Sequence, residues 1–320
     1  MTLKQSIAGA VASIALISAA QAADMRPVLK APGAPEQQAT GYVEIYGGWA
    51  RTTSEFFGEP TRFNGWALGG AGRANYWFSH NMSVQLDAQA EGTSYDFPGE
   101  SLKFSTHSYL IGGHWSWRNP QQNLFGLFAA AGDSGSTFGL ANTAQRHALI
   151  GAEAQWYWNQ FTLYAQGGYD TTLSTVGFSD IDSFSAWFIR GTGRYFINPN
   201  FLIEGTVTYA SGSVDFNFGT PSIDFQTWTW GVKGEWRFAT APFSVYAKYQ
   251  GSETTYDNSS DGFNLSGAKV TDHRVLLGLK LHMGDRTLQQ TDRAGATLDI
   301  ISPLANPTSP LMLFPNSVVR

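Results

Sequence analysis

Charged side chains recur at even spacing in two otherwise apolar stretches of this 320-residue chain. Arg190 and Arg194 lie four residues apart, and Lys233, Glu235 and Arg237 follow one another at intervals of two. Side chains at even spacing share one face of a β-strand, because successive residues point to opposite faces. A row of cations on such a face could bind anions, and alternating signs could equally form ion pairs that hold the face together.

The stretch 66–92 shows the type of element that would position such faces. Residues 82–91 alternate apolar with polar side chains, residues 66–78 alternate less cleanly, and His80-Asn81 lies between the two arms. This pattern predicts a β-hairpin. Each arm reaches the roughly 9–11 residues that a tilted strand needs to cross a bilayer. Aromatic residues close to the turn are typical of a membrane–water interface, so we expect a transmembrane hairpin.

Aromatic residues precede short turns at regular intervals along the chain. Successive intervals are 40, 41, 38 and 40 residues from Trp77 to Trp236. A repeat of that length is also typical of propeller blades, so a soluble β-propeller is the alternative fold. The propeller does not explain why the aromatics gather at the short-turn ends. The predicted aromatic girdle comprises Tyr76, Trp77, Trp117, Trp158, Phe196 and Trp236.

The composition favours a barrel that faces lipid. The chain is 42% hydrophobic and 14% aromatic, contains 35 glycines, and is only 14% charged, whereas soluble domains average about 25% charged residues. The net charge of −5 argues against binding to nucleic acid. The absence of cysteine excludes a disulfide framework and a thiolate metal site. We expect neither a cofactor nor a metal.

The chain divides into four predicted parts. Residues 1–22 have the positive start, apolar run and small-residue cleavage site of a secretory signal peptide. Residues 23–40 are rich in proline and predict a periplasmic linker. Residues 41–284 form the barrel, and residues 285–320, which contain four prolines, predict a disordered periplasmic tail. Alternatively, the apolar patch 311–314 docks into the mouth of the barrel.

Twelve candidate strands joined by alternating short turns and long loops predict a transmembrane, antiparallel, up-and-down β-barrel. An even number of strands closes the sheet and places both termini on the periplasmic side. The predicted long loops are 54–63, 96–102, 132–142, 174–182, 215–224 and 257–270.

The signal peptide, the proline-containing lead that begins Ala23–Met25, and the glycine- and aromatic-rich hairpins resemble outer-membrane β-barrel proteins of the α-proteobacterial type. Gly278, Leu281 and Met283 of the last strand are similar to the signal that outer-membrane assembly machinery reads, although aromatics are missing and the 36 residues 285–320 follow the barrel. The resemblance implies a porin-like or structural protein of a Gram-negative outer membrane. Its implied partners are the lipid bilayer, lipopolysaccharide, the assembly machinery and, as a homo-oligomer, further copies of the chain.

If apolar positions face lipid, the alternate positions line the lumen with seven cations and seven anions. Such a balance fits a network of ion pairs that fills the interior, and it fits equally a water-filled channel with opposing charged walls. Twelve strands lie between the eight that side chains fill and the sixteen of a wide channel. The inward cations are Arg73, Arg190, Arg194, Lys233, Arg237, Lys248 and Lys280, and the inward anions are Glu44, Asp87, Glu91, Glu153, Asp170, Glu204 and Glu235.

The predicted function is therefore a porin-like passive channel for small polar solutes, and the alternative is a structural or surface-binding barrel with a plugged lumen. We expect Glu204 and Glu153 to be acidic partners of Arg190 and Arg194. The candidate residues for the lumen constriction are Arg73, Asp87, Glu91, Glu153, Arg190, Arg194, Glu204, Lys233, Glu235, Arg237, Lys248 and Lys280.

Three patterns that could carry other chemistry are weaker. The run 132–136, GDSGS, is similar to the nucleophile region of trypsin-like proteases, but such runs are ordinary in loops. An outer-membrane lipase needs an outward histidine, whereas His114, His147 and His282 fall on the inward parity. The loop 257–262 resembles the start of a calcium loop, but Ala268 stands where a glutamate belongs. The chain is therefore not expected to be an enzyme.

Overall fold

A computed structural model of the protein shows a closed barrel of twelve antiparallel strands, in which each strand pairs with its neighbours in sequence and β1 pairs with β12. The structure describes residues 38–56, 59–96, 103–138, 141–177, 181–216, 222–257 and 267–300. The strands are β1 (Ala39–Phe56), β2 (Glu59–Trp77), β3 (Met82–Asp96), β4 (Lys103–Asn119), β5 (Asn123–Phe138), β6 (Ala141–Trp158), β7 (Phe161–Gly177), β8 (Ile181–Asn198), β9 (Phe201–Phe216), β10 (Ile223–Arg237), β11 (Phe243–Asp257) and β12 (Lys269–Met283). The prediction of a twelve-stranded up-and-down barrel is confirmed.

The barrel has its apolar side chains outside and its polar side chains inside. On β3, Leu86 is 68% exposed whereas Gln85 and Asp87 are buried, and the same alternation continues along the strand. Leu68 and Leu277 are likewise exposed on the outer wall. This is the reverse of a soluble sheet, and it suits a wall in contact with lipid.

The strands are longer than the sequence predicted, so the long connections are shorter. Of the expected loop 132–142, residues 132–138 belong to β5 and residues 141–142 to β6, and Ser134 pairs with Ser108 of β4 and Gln145 of β6. The expectation that residues 132–136 form a loop is therefore wrong. Small residues there tolerate the close approach of both neighbouring strands: a Cβ added at Gly132 would lie 2.3 Å from the Tyr109 carbonyl oxygen.

The chain does not leave the barrel after β12. Gly284, with a φ of +95°, turns the backbone, and the short helix α1 (Leu288–Ala294) follows. Thr287 caps this helix by accepting a hydrogen bond from the Gln290 amide at 3.1 Å. Residues 295–300 then continue without regular structure and are mostly buried. We call residues 285–300 the plug segment, because it lies inside the barrel.

Apolar side chains of the plug segment complete the core inside the barrel. Leu288 packs with Phe196 and Leu202, and Leu298 packs with Leu124, Tyr157 and Tyr164. Ile300 reaches a third cluster at the middle of the strands, made of Leu110, Phe128, Ala130, Leu149, Phe188 and Ala210. The described part of the expected disordered tail is thus folded into the lumen, because its apolar residues match an apolar patch on the inner wall.

Several predictions concern segments that lie outside the described residues. These segments are the signal peptide, nearly all of the linker, the apolar patch 311–314, and the loop 257–262 except for Asp257. Within the described ranges, no helix is long and apolar enough to cross a membrane.

Candidate functional site in the barrel lumen

Two ion pairs join the plug segment to β8. Arg190 holds Asp299 with both terminal nitrogens, at 2.8 and 2.5 Å from the two carboxylate oxygens. Arg194 donates to Asp292 at 2.8 Å and, through Nε, to Glu204 of β9 at 2.8 Å. Bidentate arginine–carboxylate contacts are strong and directional. The arginines predicted as constriction residues therefore pair with acids of the plug segment. Glu204 is a partner of Arg194 as expected, whereas Glu153 contacts His114 and Tyr164 and, within the described residues, forms no ion pair with either arginine.

Wall side chains also satisfy the backbone of the plug segment. Gln85 donates to the Leu298 carbonyl at 2.7 Å and accepts from the Leu298 amide at 3.2 Å. Arg118 donates to the Gly295 carbonyl at 2.7 Å, and Gln166 donates to that of Asp299 at 2.9 Å. An irregular segment can stay buried only when its backbone groups find such partners.

The helix of the plug segment lies against the short-turn end of the barrel. The Gln289 amide donates to the Pro199 carbonyl at 3.1 Å, and its side chain donates to the Asn159 carbonyl at 3.0 Å. Thr162 at the start of β7 donates to Asp292 at 2.6 Å. The segment therefore enters from the short-turn end and rises to Ile300 at the middle of the lumen.

Asp285 begins the plug segment in a buried position. Burial raises the pKa of its carboxyl to about 6, although a hydrogen bond from Thr291 and the nearby Arg237 act in the opposite direction. Arg237 donates to the Asp285 backbone carbonyl. The proton on Asp285 is therefore favoured by the docked segment more than by a solvated one.

A buried histidine connects two wall carboxylates close to the plug segment. His114 lies 2.7 Å from Glu153 through Nδ1 and 3.2 Å from Asp87 through Nε2. Tyr164 donates to Glu153 at 2.6 Å, and Arg73 lies 3.7 Å from Asp87. The inward position expected for His114 is confirmed, and its role here is to link strands β3, β4 and β6. The expectation that no histidine faces outward was wrong, because His107 and His273 share the parity of exposed Tyr109 and Val275 on their strands.

A second cluster of charges covers the opposite wall. Lys280 lies 3.1 Å from Glu235 and 3.6 Å from Glu44, while Lys233 lies 3.2 Å from Glu204 and 3.5 Å from Glu235. These residues come from β1, β9, β10 and β12. The alternation of Lys233 and Glu235 thus forms ion pairs with neighbouring strands rather than an exposed row of cations.

All twelve candidate lumen residues belong to the inward-facing set, but they do not form one constriction. Glu91 accepts hydrogen bonds from Tyr46 and Arg274 near the long-loop end, far along the strands from Arg237 at the short-turn end. Lys248 stands beside Lys233 in the β10–β11 register and makes no ion pair within the described residues. The plug segment contacts the set directly at Arg190, Arg194 and Arg237.

The sequence reasoning missed three charged residues of the inner wall, Arg118, Asp272 and Arg274. They are 0%, 1% and 1% exposed, and Arg274 donates to Asp272 at 2.9 Å. Their positions share the parity of His114 and Lys280, so the alternation already contained the signal. The sequence reasoning also missed Asp292 and Asp299. The composition of a proline-rich tail does not indicate that its aspartates lie inside the lumen.

Two of the six predicted girdle residues lie inside the barrel. Tyr76, Trp117, Trp158 and Trp236 are 42–53% exposed on the outer wall, whereas Trp77 is 2% and Phe196 is 0% exposed. Trp77 donates to the Ala294 carbonyl at 2.7 Å. The girdle prediction was wrong for Trp77 and Phe196, because each has the parity of inward charges on its own strand, Arg73 and Arg194.

One inward cluster has the residue types of a hydrolase. Ser244 lies 2.9 Å from Nε2 of His282 and donates to Glu235 at 2.7 Å. In a catalytic triad the acid orients the imidazole through its other nitrogen. Here Glu235 accepts a hydrogen bond from the hydroxyl of Ser244 instead, and Nδ1 of His282 has no partner within the described residues. The cluster therefore lacks the orienting contact of a triad.

The fold is shared with outer-membrane β-barrels of known structure. An outer membrane channel from Pseudomonas putida F1 is 11% identical, with a TM-score of 0.56, over 81% of this chain and 100% of that chain. The translocator domain of the autotransporter NalP from Neisseria meningitidis is 9% identical, with a TM-score of 0.50, over 88% of this chain and 98% of that chain. No family model and no curated protein matches the sequence. The chain therefore has the fold of an outer-membrane β-barrel.

Proposed function

We propose that this protein is an outer-membrane channel for small polar solutes, and that its plug segment closes the lumen until it is released. The observation that carries the proposal is that a separate segment of the same chain occupies the lumen and covers arginines of the wall. Ion pairs and hydrogen bonds from Arg190, Arg194, Gln85 and Arg118 hold the segment. Its apolar side chains Leu288, Leu298 and Ile300 pack beside these contacts.

Release would leave a charged wall suited to polar solutes. Without the segment, Arg190 and Arg194 would face the lumen beside the cluster of Lys233, Glu235 and Lys280, to which Glu204 links Arg194. Charges of both signs along a water-filled interior favour small polar molecules over apolar ones. The outward apolar surface does not change, so the barrel keeps its wall in either state.

The remaining expectations form part of this proposal. They are a Gram-negative outer membrane of the α-proteobacterial type, a cleaved signal peptide, periplasmic termini, and the lipid and assembly partners that the sequence implies. The proposal assigns the chain no chemical reaction. The orientation can be tested with cysteines placed at exposed Ser222 near the long-loop end and exposed Gln122 at the short-turn end. A membrane-impermeant thiol reagent should label Ser222→Cys in intact cells, and it should label Gln122→Cys only after the outer membrane is opened.

A structural barrel is the second candidate, and one observation favours it. Arg274 on β12 reaches across two intervening strands to Glu91 and Tyr95 on β3, so part of the lumen is bridged without the plug segment. Such ion pairs could keep the interior closed after the segment leaves.

Conductance separates the two candidates. Asp292→Asn with Asp299→Asn removes both carboxylates from Arg194 and Arg190, and Asp215→Asn on the wall is the matched control. In planar bilayers we expect rare openings from the wild type and the control, and frequent openings from the double variant. A double variant that folds but carries no current would move the protein to the structural class.

A further inference from the structure

The end of the plug segment occupies a position on the inner wall that has the parts of a carboxylate-binding site. Arg190 binds the two carboxylate oxygens of Asp299 at 2.8 and 2.5 Å. The backbone carbonyl of Asp299 accepts hydrogen bonds from Gln166 at 2.9 Å and from Tyr164 at 3.4 Å. The Arg190 guanidinium also lies 4.8 Å from the Tyr164 ring centroid, a contact that holds its plane in place. The wall therefore presents a positioned guanidinium and two further donors to one small acid.

The acid that Arg190 binds comes from the plug segment and not from the wall. Arg194 has a carboxylate of the wall, Glu204, at 2.8 Å whether or not the segment is docked. For Arg190, Asp299 is the one carboxylate within ion-pair distance in the part of the chain that the structure describes. A buried cation without a partner is costly. Displacement of Asp299 therefore leaves a place on the wall that needs an anion.

Asp299 does not use all the polar atoms around it. Nε of Arg190 and Oε1 of Gln166 are buried and have no hydrogen-bond partner among the described residues. Buried polar groups ordinarily have partners. The Asp299 side chain also stays 22% exposed, so the ion pair is not sealed. The wall thus offers more hydrogen-bonding groups than the aspartate uses, as expected of a site that also receives a free ligand.

An apolar socket adjoins the arginine, formed by Gly112 and the six wall residues of the central cluster that hold Ile300. Phe188 of this cluster and Arg190 are successive inward residues of β8, about 7 Å apart along the strand. Gly112 of β4 makes room for the isoleucine, because an added Cβ there would overlap Ile300 Cδ1. The wall therefore accepts a short apolar group next to a carboxylate.

We propose that this site binds small organic acids with a short apolar body, and that Asp299 and Ile300 occupy it as a tethered mimic of such a ligand. The carboxylate of the free acid binds Arg190, and its apolar body packs in the socket at Gly112 and Phe188. Inorganic phosphate has the charge without the apolar body, and a neutral amide has the body without the charge, so neither satisfies both halves. Passage of these acids through the barrel rests on the proposed function, whereas their binding does not.

Isothermal titration calorimetry of the full chain in detergent micelles tests the site. Asp299→Gly with Ile300→Gly empties it, while Asp292 and Leu298 keep their contacts with the wall. The probes are 4-methylpentanoate, its neutral amide 4-methylpentanamide, acetate and inorganic phosphate. We expect 4-methylpentanoate to bind the emptied variant at least tenfold more tightly than the other three probes do. It should bind the wild type at least tenfold more weakly, because there the segment fills the site.

Two changes of the wall, made in the emptied variant, assign the halves of the site. Arg190→Gln should lower the affinity for 4-methylpentanoate at least tenfold. Phe188→Ala should lower it severalfold and leave the weaker binding of acetate unchanged. The matched control is Arg146→Gln, whose side chain is exposed on the outer wall, and it should not change the affinity. Gel mobility before and after heating confirms that each variant is folded.

Equal affinity for the acid and its amide, tighter binding of phosphate, an unchanged affinity in folded Arg190→Gln, or an equal loss in Arg146→Gln would each overturn the proposal. The comparison of acid with amide uses the emptied variant alone, so it decides the question even where a wall variant does not fold. Calorimetry measures no current, so a failed ligand site and a failed channel give different results.

Discussion

Arg190 and Asp299 form a two-pronged ion pair between the wall of the barrel and a segment that begins after its last strand. The two residues are separated by 109 positions in sequence. Arg190 is 2% exposed, and its ring neighbour Tyr164 lies 4.8 Å from the guanidinium carbon. Because Arg190 is removed from water while Asp299 keeps 22% of its side chain exposed, loss of the pair would leave the arginine buried without a partner. The proposed closure of the lumen therefore depends on this pair.

Reversing the wall charges should release the plug segment. Arg190→Glu with Arg194→Glu places new carboxylates against Asp299 and Asp292, and breaking a buried pair costs about 3–5 kcal/mol. We expect open probability in planar bilayers to rise more than a hundredfold and the open pore to prefer cations. An unchanged open probability in a folded variant would show that these arginines do not hold the segment.

Closure should be stronger in acid because of Asp285. Its pKa is raised to about 6 by burial when the segment is docked, while a solvated aspartate has a pKa of about 3.9. The docked state therefore binds the additional proton, so the contribution of Asp285 to docking is complete below about pH 4 and is lost as the pH rises through about 6.

The measurement is open probability between pH 4 and pH 8. We expect it to increase between about pH 4 and 6 and then to level off. Asp285→Asn resembles the protonated acid and should remove this increase while it preserves closure. If Asp285→Asn shows the same pH profile as the wild type, another group controls the pH dependence.

The apolar end of the plug segment should contribute as much as its charges. Ile300 is 2% exposed among seven buried side chains of the central cluster, itself included. Ile300→Ala should weaken docking by about 2–5 kcal/mol, less if the cluster closes around the cavity. Hydrogen exchange at the Leu298 amide reports the change, and Ile189→Ala, which is 57% exposed on the outer wall, is the control. Equal protection in both variants would contradict the assigned packing.

The fold could be predicted from the sequence because the rule behind it is local. Alternation at residues 82–91 specifies the strand, its faces and its length without any knowledge of distant residues. The same rule places Arg190, Arg194 and Glu235 inside. It also places Trp77 and Phe196 inside. Both were wrongly predicted to lie in the outer aromatic girdle, because that prediction relied on residue type and ignored their position in the alternation.

The plug segment could not be predicted in the same way. Its helix has only seven residues, and its stability comes from partners such as Gln85 and Arg190 that lie more than 100 positions away in sequence. Short helices form only when tertiary contacts support them. The prolines and polar residues after β12 therefore predicted a disordered tail. The pairing of Asp292 and Asp299 with Arg194 and Arg190 could not be inferred from that composition.

A reversible crosslink tests most directly whether the plug segment closes the lumen. Thr162 Oγ1 and Asp292 Oδ2 are 2.6 Å apart, so cysteines at both positions come within reach of a disulfide after a small adjustment. The chain contains no other cysteine. In Thr162→Cys with Asp292→Cys, we predict no current when the protein is oxidised and frequent openings after a reductant is added. The current of the wild type should not change when the reductant is added. Equal currents in the oxidised and reduced forms would contradict closure by this segment.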